Sequence, residues 1–541
     1  MFKLTTGFSL MLMRRHLWCG VVLLGAAMLL AFVLPPGAFP YSPDSADYIE
    51  QARSLHAHGA ALATPYDLNQ PDVVREPSRL FPVGFPIVLA LLSTFGVEPS
   101  VGAVLVNGIA AVLIPVILFL ALRPSCGPRL AAIAAILCAT TPGLILNATF
   151  GMSDCFALAL SLLVFHLAVN AKSSGMHLLA GAVAAFAYVS RNALIALLLA
   201  SMIFHVWMVF EHRLSRESRR QLLGFVSGCL VVLVPYVLRN LAVYGTINPY
   251  AMGESTIGLA ENASAMLAAL AYDLSAVAAF QLRIEPLGVA GFALLLAATI
   301  SIPLLLASGR RLFTERQRRA MVFGTAYVLI GLWMVVVART RYQWGETIGI
   351  RHSLQYTPYI LGMACIVIAT MLRGRGGTPR FAAGLSIVFL AALLLVHVRF
   401  YSNQLHQADV RNSMAGGQHV YRSGQDFLCG RDEGTFLVSN WAYVFRIRCG
   451  VPARHIWIVD PAREKSQPRF VGTESSYHTL KEGLDAAARN AAGRPLFVAL
   501  FPGRGGLSRA DFPMADEDTA ALRREGWTLV TNAHEKILLE R

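Results

Sequence analysis

The sequence predicts a polytopic α-helical membrane protein that ends in a polar α/β domain, and three observations support this. Of its 541 residues, 55% are hydrophobic and only 14% are charged, and the mean hydropathy is +0.54. A series of apolar runs has the length of membrane-spanning helices. The composition changes sharply near residue 401, where the chain becomes polar. A soluble protein would not have this composition.

The apolar runs predict eleven spanning helices, because about 20 apolar residues cross a bilayer. The first run, 17–36, ends in two prolines without a small-x-small cleavage site, which favours a retained helix over a signal peptide. The stretch 177–210 is too long for one helix, and Arg191-Asn192 interrupts it, so it predicts two short helices joined by a tight turn. The other runs lie near 101–122, 130–146, 155–171, 221–238, 286–307, 320–338, 354–372 and 381–399.

The basic residues set the predicted orientation. The net charge of +14 would suit a nucleic-acid partner, but the charges are dispersed in short clusters between apolar runs, which is the positive-inside pattern. We therefore expect no nucleic acid. With the N-terminus inside, every short inner loop is basic; these loops carry Arg123 and Arg129, Lys172, Arg213–Arg220, Arg310–Arg319 and Arg373–Arg380.

The outer side then receives the loops 37–100, 239–285 and 339–353 and the tail 401–541. The first loop contains a polar-faced segment, Ala46–His58, and an apolar segment, Phe85–Phe95, which is too short to span and predicts an interfacial helix. Strands alternate with helices in the tail, which predicts a parallel sheet. The predicted strands are Phe436–Ser439, Ile456–Val459, Leu496–Phe501 and Trp527–Thr531, and the helices are Tyr477–Ala491 and Ala515–Gly526.

The eight cysteines show no metal-ligand spacing, since there is no C-x-x-C and no Cys/His pair at ligand distance. Cys429 and Cys449 lie in the polar tail, where an oxidising compartment would allow a disulfide.

Several acids and arginines converge on the outer face in this topology. Charges at membrane ends are costly unless they bind something, so the convergence predicts a site for an anionic, lipid-borne substrate. The residues are Asp44, Asp47, Asp154, Arg191, Arg239, Asn240 and Arg351.

Three of these residues also have a structural interpretation. Asp44 and Asp154 could cap helices, and Arg239 could interact with the C-terminus of its own helix. In the functional interpretation, a carboxylate at the boundary takes a proton from an acceptor hydroxyl. Arg239-Asn240 then binds phosphate, and Arg351 forms an anion-binding site at a helix N-terminus.

Five motifs in register resemble one family over residues 1–400. SPDSADYIEQARSL and RLFPVGFPIVLALLSTFG resemble the first outer loop of the GT-C glycosyltransferases, in the protein-mannosyltransferase-like and aminoarabinose-transferase-like branch of family 39/83 type. MSDCFALALSLLVFHLAV is similar to the second acidic motif, and AAFAYVSRNALIALLLA to the arginine-bearing turn. VPYVLRNLAVYG resembles the most specific signature. RHSLQYTPYILGMA stands where the family has an Arg-Tyr-x-x-Pro segment, with His352 in place of tyrosine.

The resemblance implies a GT-C domain over 1–400 and an extracytoplasmic domain over 401–541. It also implies transfer, with inversion, of a sugar from a polyprenyl-phosphate carrier to a lipid, glycan or protein outside a bacterial cytoplasmic membrane. Asp44 would be the base, Asp47 and Asp154 supporting acids, and Arg239, Asn240, Arg351 and Arg191 the lipid-phosphate site. No cofactor is required; a divalent cation stays open, since carboxylates can ligate one.

Two alternatives come from other functional classes. A transporter or flippase also uses intramembrane charges, but it predicts repeated halves with helix breaks at the midplane, and no internal repeat is visible. A non-catalytic assembly protein could keep the scaffold alone, but the retained Asp44, Arg239 and Arg351 argue against it.

Overall fold

The computed structural model describes most of the chain from residue 18 onwards. The residues outside it are 1–17, 21, 24, 27–40, 66–74, 149, 172, 250–254, 256, 278–311, 343–347, 374–376, 414–434, 459–475, 478, 492, 502–513 and 534–535. The predicted helix 286–307, most of the predicted helix 17–36, and Cys429 therefore lie outside the described residues.

The first loop folds into two helices and a short hairpin. Helix α1 (Pro43–His58) begins with a capping box between Ser42 and Ser45, and it ends at Gly59, whose φ of 71° is the left-handed conformation that glycine favours. Strands β1 (Leu62–Ala63) and β2 (Glu76–Pro77) pair antiparallel. Helix α2 (Gly84–Ser93) follows, so both predicted segments of this loop are helical.

Seven helices and one 3₁₀ turn form the first half of the bundle. Arg191 has extended backbone between α7 and the 3₁₀ turn, so the predicted break at this residue is confirmed. The helices are α3 (Pro99–Cys126), α4 (Pro128–Ala139), α5 (Pro142–Ala148), α6 (Asp154–Asn170), α7 (Ser174–Ser190), α8 (Ile195–Glu211) and α9 (Arg216–Tyr244), with the 3₁₀ turn Asn192–Leu194 between α7 and α8.

The second half contains a helix in a stretch that the sequence predicts as an outer loop. Helix α10 (Leu259–Ser275) buries Ala263 and Met266 against the main core. Both oxygens of its fully buried Asp273 accept hydrogen bonds, from Gly143 N and Thr357 Oγ1, each at 2.6 Å. The remaining helices are α11 (Glu315–Arg341), α12 (Ile350–Ser353), α13 (Thr357–Arg373) and α14 (Gly377–Ser413).

Within the described residues, five helices are long and apolar enough to cross a membrane. The pair α4 and α5, bent by 55° at its break, would make six, and α2, α6, α7 and α13 are shorter apolar helices. Helices α7 and α9 pack backbone against backbone, because a Cβ on Gly181 would lie 2.0 Å from Phe225 O and one on Gly228 would lie 1.9 Å from Leu178 O.

The basic loops predicted to share one side of the membrane lie together. Arg318 Nη2 is 2.8 Å from Glu211, which joins the start of α11 to the end of α8. Gln317 Nε2 donates to Ser125 O at 3.0 Å, which adds the end of α3. In α8 this end, at Glu211, is opposite to the end that follows Arg191.

The C-terminal region is an α/β domain, but its sheet is mixed rather than parallel. Its order is β4-β3-β7-β9-β8, with β3 parallel to β4 and β7, and β9 antiparallel to β7 and β8. The parallel expectation is wrong because the last two strands, separated by two residues, pair as a hairpin. The elements are β3 (Phe436–Ser439), α15 (Ala442–Arg448), β4 (Ala453–His455), β5 (Trp457–Ile458), β6 (Ser476–Tyr477), α16 (Leu480–Ala491), β7 (Leu496–Leu500), α17 (Asp516–Arg524), β8 (Thr528–Ala533) and β9 (Lys536–Glu540).

Helix α14 continues to Ser413, so the first residues of the predicted tail belong to it. Cys449 is disulfide-bonded, whereas the thiols of Cys19, Cys126, Cys138, Cys155, Cys229 and Cys365 are free.

Candidate active site

Four of the predicted residues form one charged network. The guanidinium of Arg351 pairs with Asp44, and its Nε lies 3.4 Å from Asp154 Oδ1. Arg191 Nη2 lies 2.8 Å from the same Asp154 oxygen. Two carboxylates and two guanidinium groups, which come from α1, α6, the α7–α8 break and α12, therefore meet at one end of the bundle.

The exposed fraction of the side chains differs within the network. The side chain of Asp154 is 0% exposed and that of Arg191 is 12% exposed, whereas those of Arg351 and Asp44 are 22% and 21% exposed. Asp44 and Arg351 are therefore partly accessible, whereas Asp154 contacts both arginines from a fully buried position.

Helix α6 brings Asp154 into the network because Asn107 of α3 holds the turn before it. Asn107 Nδ2 donates to Asn147 O at 2.8 Å and to Phe150 O at 2.7 Å. Its Oδ1 accepts from Cys155 N at 2.9 Å. This fully buried side chain satisfies the N–H of Cys155, which the helix start leaves unpaired, and ties the preceding turn to α3.

Helix α1 is fixed beside this turn. Tyr48 Oη lies 3.0 Å from Ser153 Oγ, and the ring of Tyr48 packs edge-on against Phe81 and Phe85, each with ring centroids 5.2 Å apart. Asp44 precedes Tyr48 by four residues, one turn toward the helix N-terminus, and so lies near the network.

Arg351 lies in the short helix α12, which is attached to its surroundings on both sides. Gln355 Nε2 donates to the backbone carbonyl of Asp154 at 3.0 Å, and Ser353 Oγ donates to Ala269 O at 3.3 Å. Next to it, His352 contacts the buried guanidinium of Arg339. Burial, followed by the charges of Arg339 and Arg351, holds the pKa of His352 well below its usual range, so this imidazole is neutral. The positive charge next to the network is therefore that of Arg339.

Arg239 and Asn240 lie in a neighbouring cleft rather than in the network. Arg239 Nη1 donates to Asn240 Oδ1 at 3.1 Å, and its guanidinium lies 5.5 Å from the ring centre of Tyr244. Among the described residues, no carboxylate lies within ion-pair distance of Arg239. The cleft is lined by Ser78, Arg79, Phe81, Pro82, Asn192, Tyr236, Arg239, Asn240, Tyr244, Asn248 and Pro249. Asn192 follows Arg191 directly and links the cleft to the network.

Asp47 lies outside the network. Its Oδ1 is 2.6 Å from Arg446 Nη2 of the C-terminal domain, and its Oδ2 accepts from Ser78 Oγ at 3.1 Å. Burial, only partly offset by the charge of Arg446, raises the pKa of Asp47 to about 6. Its basic partner is therefore in the other domain, not among the arginines near Asp44.

Sequence reasoning did not find three residues that support the network: Asn107, Tyr48 and Gln355. A buried asparagine in the apolar helix α3 is the one clear signal that the sequence offered, since such a side chain needs hydrogen-bond partners. Within the described residues, no group of three or more His, Cys, Asp or Glu side chains could hold a metal ion.

Comparison with known proteins supports the architecture. Residues 80–238 match the family model of the dolichyl-phosphate-mannose-protein mannosyltransferases. No curated protein sequence matches the chain.

Three solved structures are similar to the whole fold. ArnT from Cupriavidus metallidurans in the apo state has a TM-score of 0.53 at 13% identity, covering 99% of this chain and 98% of that one. ArnT bound to undecaprenyl phosphate has a TM-score of 0.53 at 15% identity, covering 97% of each chain. The oligosaccharyltransferase AglB from Archaeoglobus fulgidus, in complex with an inhibitory peptide and a dolichol-phosphate, has a TM-score of 0.50 at 10% identity, covering 90% of this chain and 70% of that one.

The match with ArnT covers nearly all of this chain, from the first loop through the bundle to the C-terminal domain. The protein therefore has the GT-C fold of the membrane glycosyltransferases.

Proposed function

We propose that this protein is a glycosyltransferase of the bacterial cytoplasmic membrane that moves a sugar from a polyprenyl-phosphate carrier to an acceptor on the outer face. The observation that carries the proposal is the half-open network of Asp44, Arg351, Asp154 and Arg191. It supplies a base and cationic groups within one site, as the transfer of a sugar away from a phosphate requires.

Asp44 is the proposed base. The acceptor oxygen attacks the anomeric carbon and loses its proton to the Asp44 carboxylate, while the bond from that carbon to the phosphate oxygen breaks. Attack opposite to the leaving phosphate inverts the anomeric centre. In the structure, Asp44 pairs with Arg351. A phosphate that takes over Arg351 would release Asp44 to receive the proton.

Arg351 and Arg191 are the proposed partners of the leaving phosphate. Its negative charge grows as the bond breaks, and guanidinium groups already held in place stabilise that charge without reorganisation. Asp154, buried between them, orients both arginines and balances part of their charge. Because the leaving group is a lipid phosphate that arginines can stabilise, this step does not require a metal.

Arg239 and Asn240 are proposed to hold the carrier lipid's phosphate where it enters the site. Arg239 lies in a polar cleft beside Asn192 and has no carboxylate partner among the described residues, so an incoming anion meets no competing charge. The ArnT structure with undecaprenyl phosphate and the AglB structure with dolichol-phosphate support a polyprenyl-phosphate donor.

The proposed topology has the N-terminus in the cytoplasm and both the network and the C-terminal domain outside. It rests on the basic loops, which cluster at the opposite end of the bundle. The acceptor is a lipid, glycan or protein, and the sugar is a hexose or a pentose.

A deletion strain tests the function whichever sugar is transferred. Surface glycans, lipids and glycoproteins are compared by mass spectrometry in the deletion strain, with and without the wild-type gene. We expect one sugar to be lost in the deletion and restored by the gene. An unchanged set of glycans would contradict the proposal and favour a transporter or an assembly protein.

A further inference from the structure

Helix α15 of the C-terminal domain docks on α1, the helix that carries Asp44, through one buried arginine. Arg446 is 2% exposed, and its Nη2 lies 2.6 Å from both Asp47 Oδ1 and Glu50 Oε2. Glu50 also accepts from Thr64 N at 2.8 Å and from Thr64 Oγ1 at 2.9 Å. The Glu50 carboxylate is thereby fixed by Thr64, and the Asp47 carboxylate is fixed by Ser78 through its other oxygen.

A second arginine joins the same two helices, but it belongs to α1 and donates to α15. Arg53 of α1 donates to Arg446 O at 3.0 Å and to Ile447 O at 2.7 Å. These carbonyls end α15 and have no partner within their own helix. The side chain of Ile447 packs in the apolar cluster that contains Ile49 and Phe85. The contact therefore combines charge, helix capping and apolar burial.

The contact with α15 lies close to Asp44 along α1. Asp44 and Asp47 are three residues apart, so they lie on neighbouring positions of one helix face. Because α1 has only 16 residues, fixing Asp47, Glu50 and Arg53 also fixes the first turn that carries Asp44.

We propose that Arg446 is a positioning residue for the transfer reaction: the C-terminal domain, through Arg446, holds α1 so that Asp44 faces Arg351. The proposal rests on the proposed function for the role of Asp44. It makes the C-terminal domain part of the machinery that sets the base, in addition to any contact that the domain makes with the acceptor.

The test uses the full-length protein with Arg446→Met, Arg446→Lys and a matched control, Lys481→Met, which breaks an exposed ion pair with Glu525 elsewhere in the same domain. Hydrogen exchange of residues 43–58 reports the order of α1. Transfer is followed as consumption of polyprenyl-phosphate-sugar. Misplacing a reacting group by about 1 Å can cost about 100-fold in rate.

We expect Arg446→Met to increase exchange in α1 and to lower kcat at least about tenfold, with the donor KM within about threefold, because the arginines of the network are untouched. Arg446→Lys keeps the charge but not the planar guanidinium whose Nη2 lies between the two carboxylates, so it should recover part of kcat. The Lys481→Met control should match the wild type in both readouts.

Unchanged exchange and unchanged kcat in Arg446→Met would overturn the proposal. If that variant does not reach the membrane, Arg446→Lys decides: wild-type exchange and kcat overturn the proposal, and a partial loss of both supports it. If wild-type protein transfers no sugar but α1 still loosens in the variants, the proposed function fails while the structural link between the domains stands.

Discussion

At the scale of single residues, Asp44 and Arg351 differ from the rest of the network because they are partly open to a ligand. Asp154 is closed off completely, although it touches the same arginine. The sequence alone could predict which acids and arginines share one end, because charges at membrane ends are costly unless they bind something. It could not predict that Asp47 pairs with Arg446, since 399 positions separate them in the chain.

Replacing Asp154 by asparagine tests its role as the shared partner of two arginines. Removing one member of a buried ion pair leaves uncompensated charge and costs about 3 to 5 kcal/mol. We expect a lower Tm and at least a tenfold loss of transfer as Arg351 shifts, an estimate based on the cost of misplacing a group by about 1 Å. Asp154→Glu, which keeps the charge, is the control and should recover part of the stability. A variant Asp154→Asn with wild-type Tm and activity would contradict this role.

At the scale of elements, the break at Arg191 and the turn before α6 place the site. The break was predictable because a run of apolar residues longer than one span contains a charged residue near its middle. Helix α10 was not predictable in the same way, since Asn262 and Asp273 limit its apolar run to about half the length of a membrane span. Asp273 can be buried in the core because Gly143 N and Thr357 Oγ1 donate hydrogen bonds to its two carboxylate oxygens.

Replacing Asn107 by leucine tests how the start of α6 is held. The change leaves the N–H groups of Cys155 and Phe156 at the start of α6 without their partner, at about 1 to 3 kcal/mol for each unsatisfied group. The carbonyls of Asn147 and Phe150 lose a second hydrogen bond but keep a backbone partner. We expect a lower Tm, measured by thermal unfolding in detergent, and reduced transfer, because Asp154 moves with this turn.

The matched control is Asn170→Leu at the other end of α6, where the side chain donates one hydrogen bond, to Ala121 O at 3.2 Å. It should cost less stability and leave the network in place. Equal losses of Tm in the two variants would show that Asn107 has no special role at the turn.

At the scale of the whole molecule, the interface between α1 and α15 joins the two parts of the chain around one buried arginine. The helical fold class and the sheet-containing C-terminal region were predictable from the change in composition, and the four predicted strands each begin within one residue of a strand in the structure. The interface was not predictable, because it depends on how two separately folded surfaces meet. The hairpin that makes the sheet mixed was missed for a related reason: strand direction depends on pairing, not on local pattern.

The two carboxylates that share Arg446 are expected to differ in their contribution to stability. Burial raises the pKa of Asp47 to about 6. Burial would also raise the pKa of Glu50, but Arg446 and the hydrogen bonds from Thr64 outweigh it and hold that pKa below its usual value. A raised carboxyl pKa means that folding favours the protonated Asp47, so its stabilising contribution is lost as the pH rises through about 6. The ionised Glu50 contributes stability above its unfolded pKa, which is lost as the pH falls through its lowered folded pKa.

We therefore expect Glu50→Gln to lower the Tm at pH 7 by more than Asp47→Asn does. Thermal unfolding of both variants at pH 5 and pH 7 checks this, with the wild type as reference. The cost of Asp47→Asn should shrink or change sign between pH 5 and pH 7, because the wild-type carboxylate ionises over that range. A larger cost for Asp47→Asn than for Glu50→Gln at pH 7 would contradict this assignment.

The most direct measurement of the central claim follows the donor lipid itself. Purified wild-type protein or Asp44→Asn is incubated with a lipid and envelope extract from the deletion strain, and the polyprenyl-phosphate species are quantified by mass spectrometry. We expect the wild type to consume one polyprenyl-phosphate-sugar and to release the corresponding polyprenyl phosphate, and Asp44→Asn to be slower by about 100-fold or more, as for the loss of a general base. Consumption at the same rate by both proteins, or by neither, would contradict catalysis through Asp44.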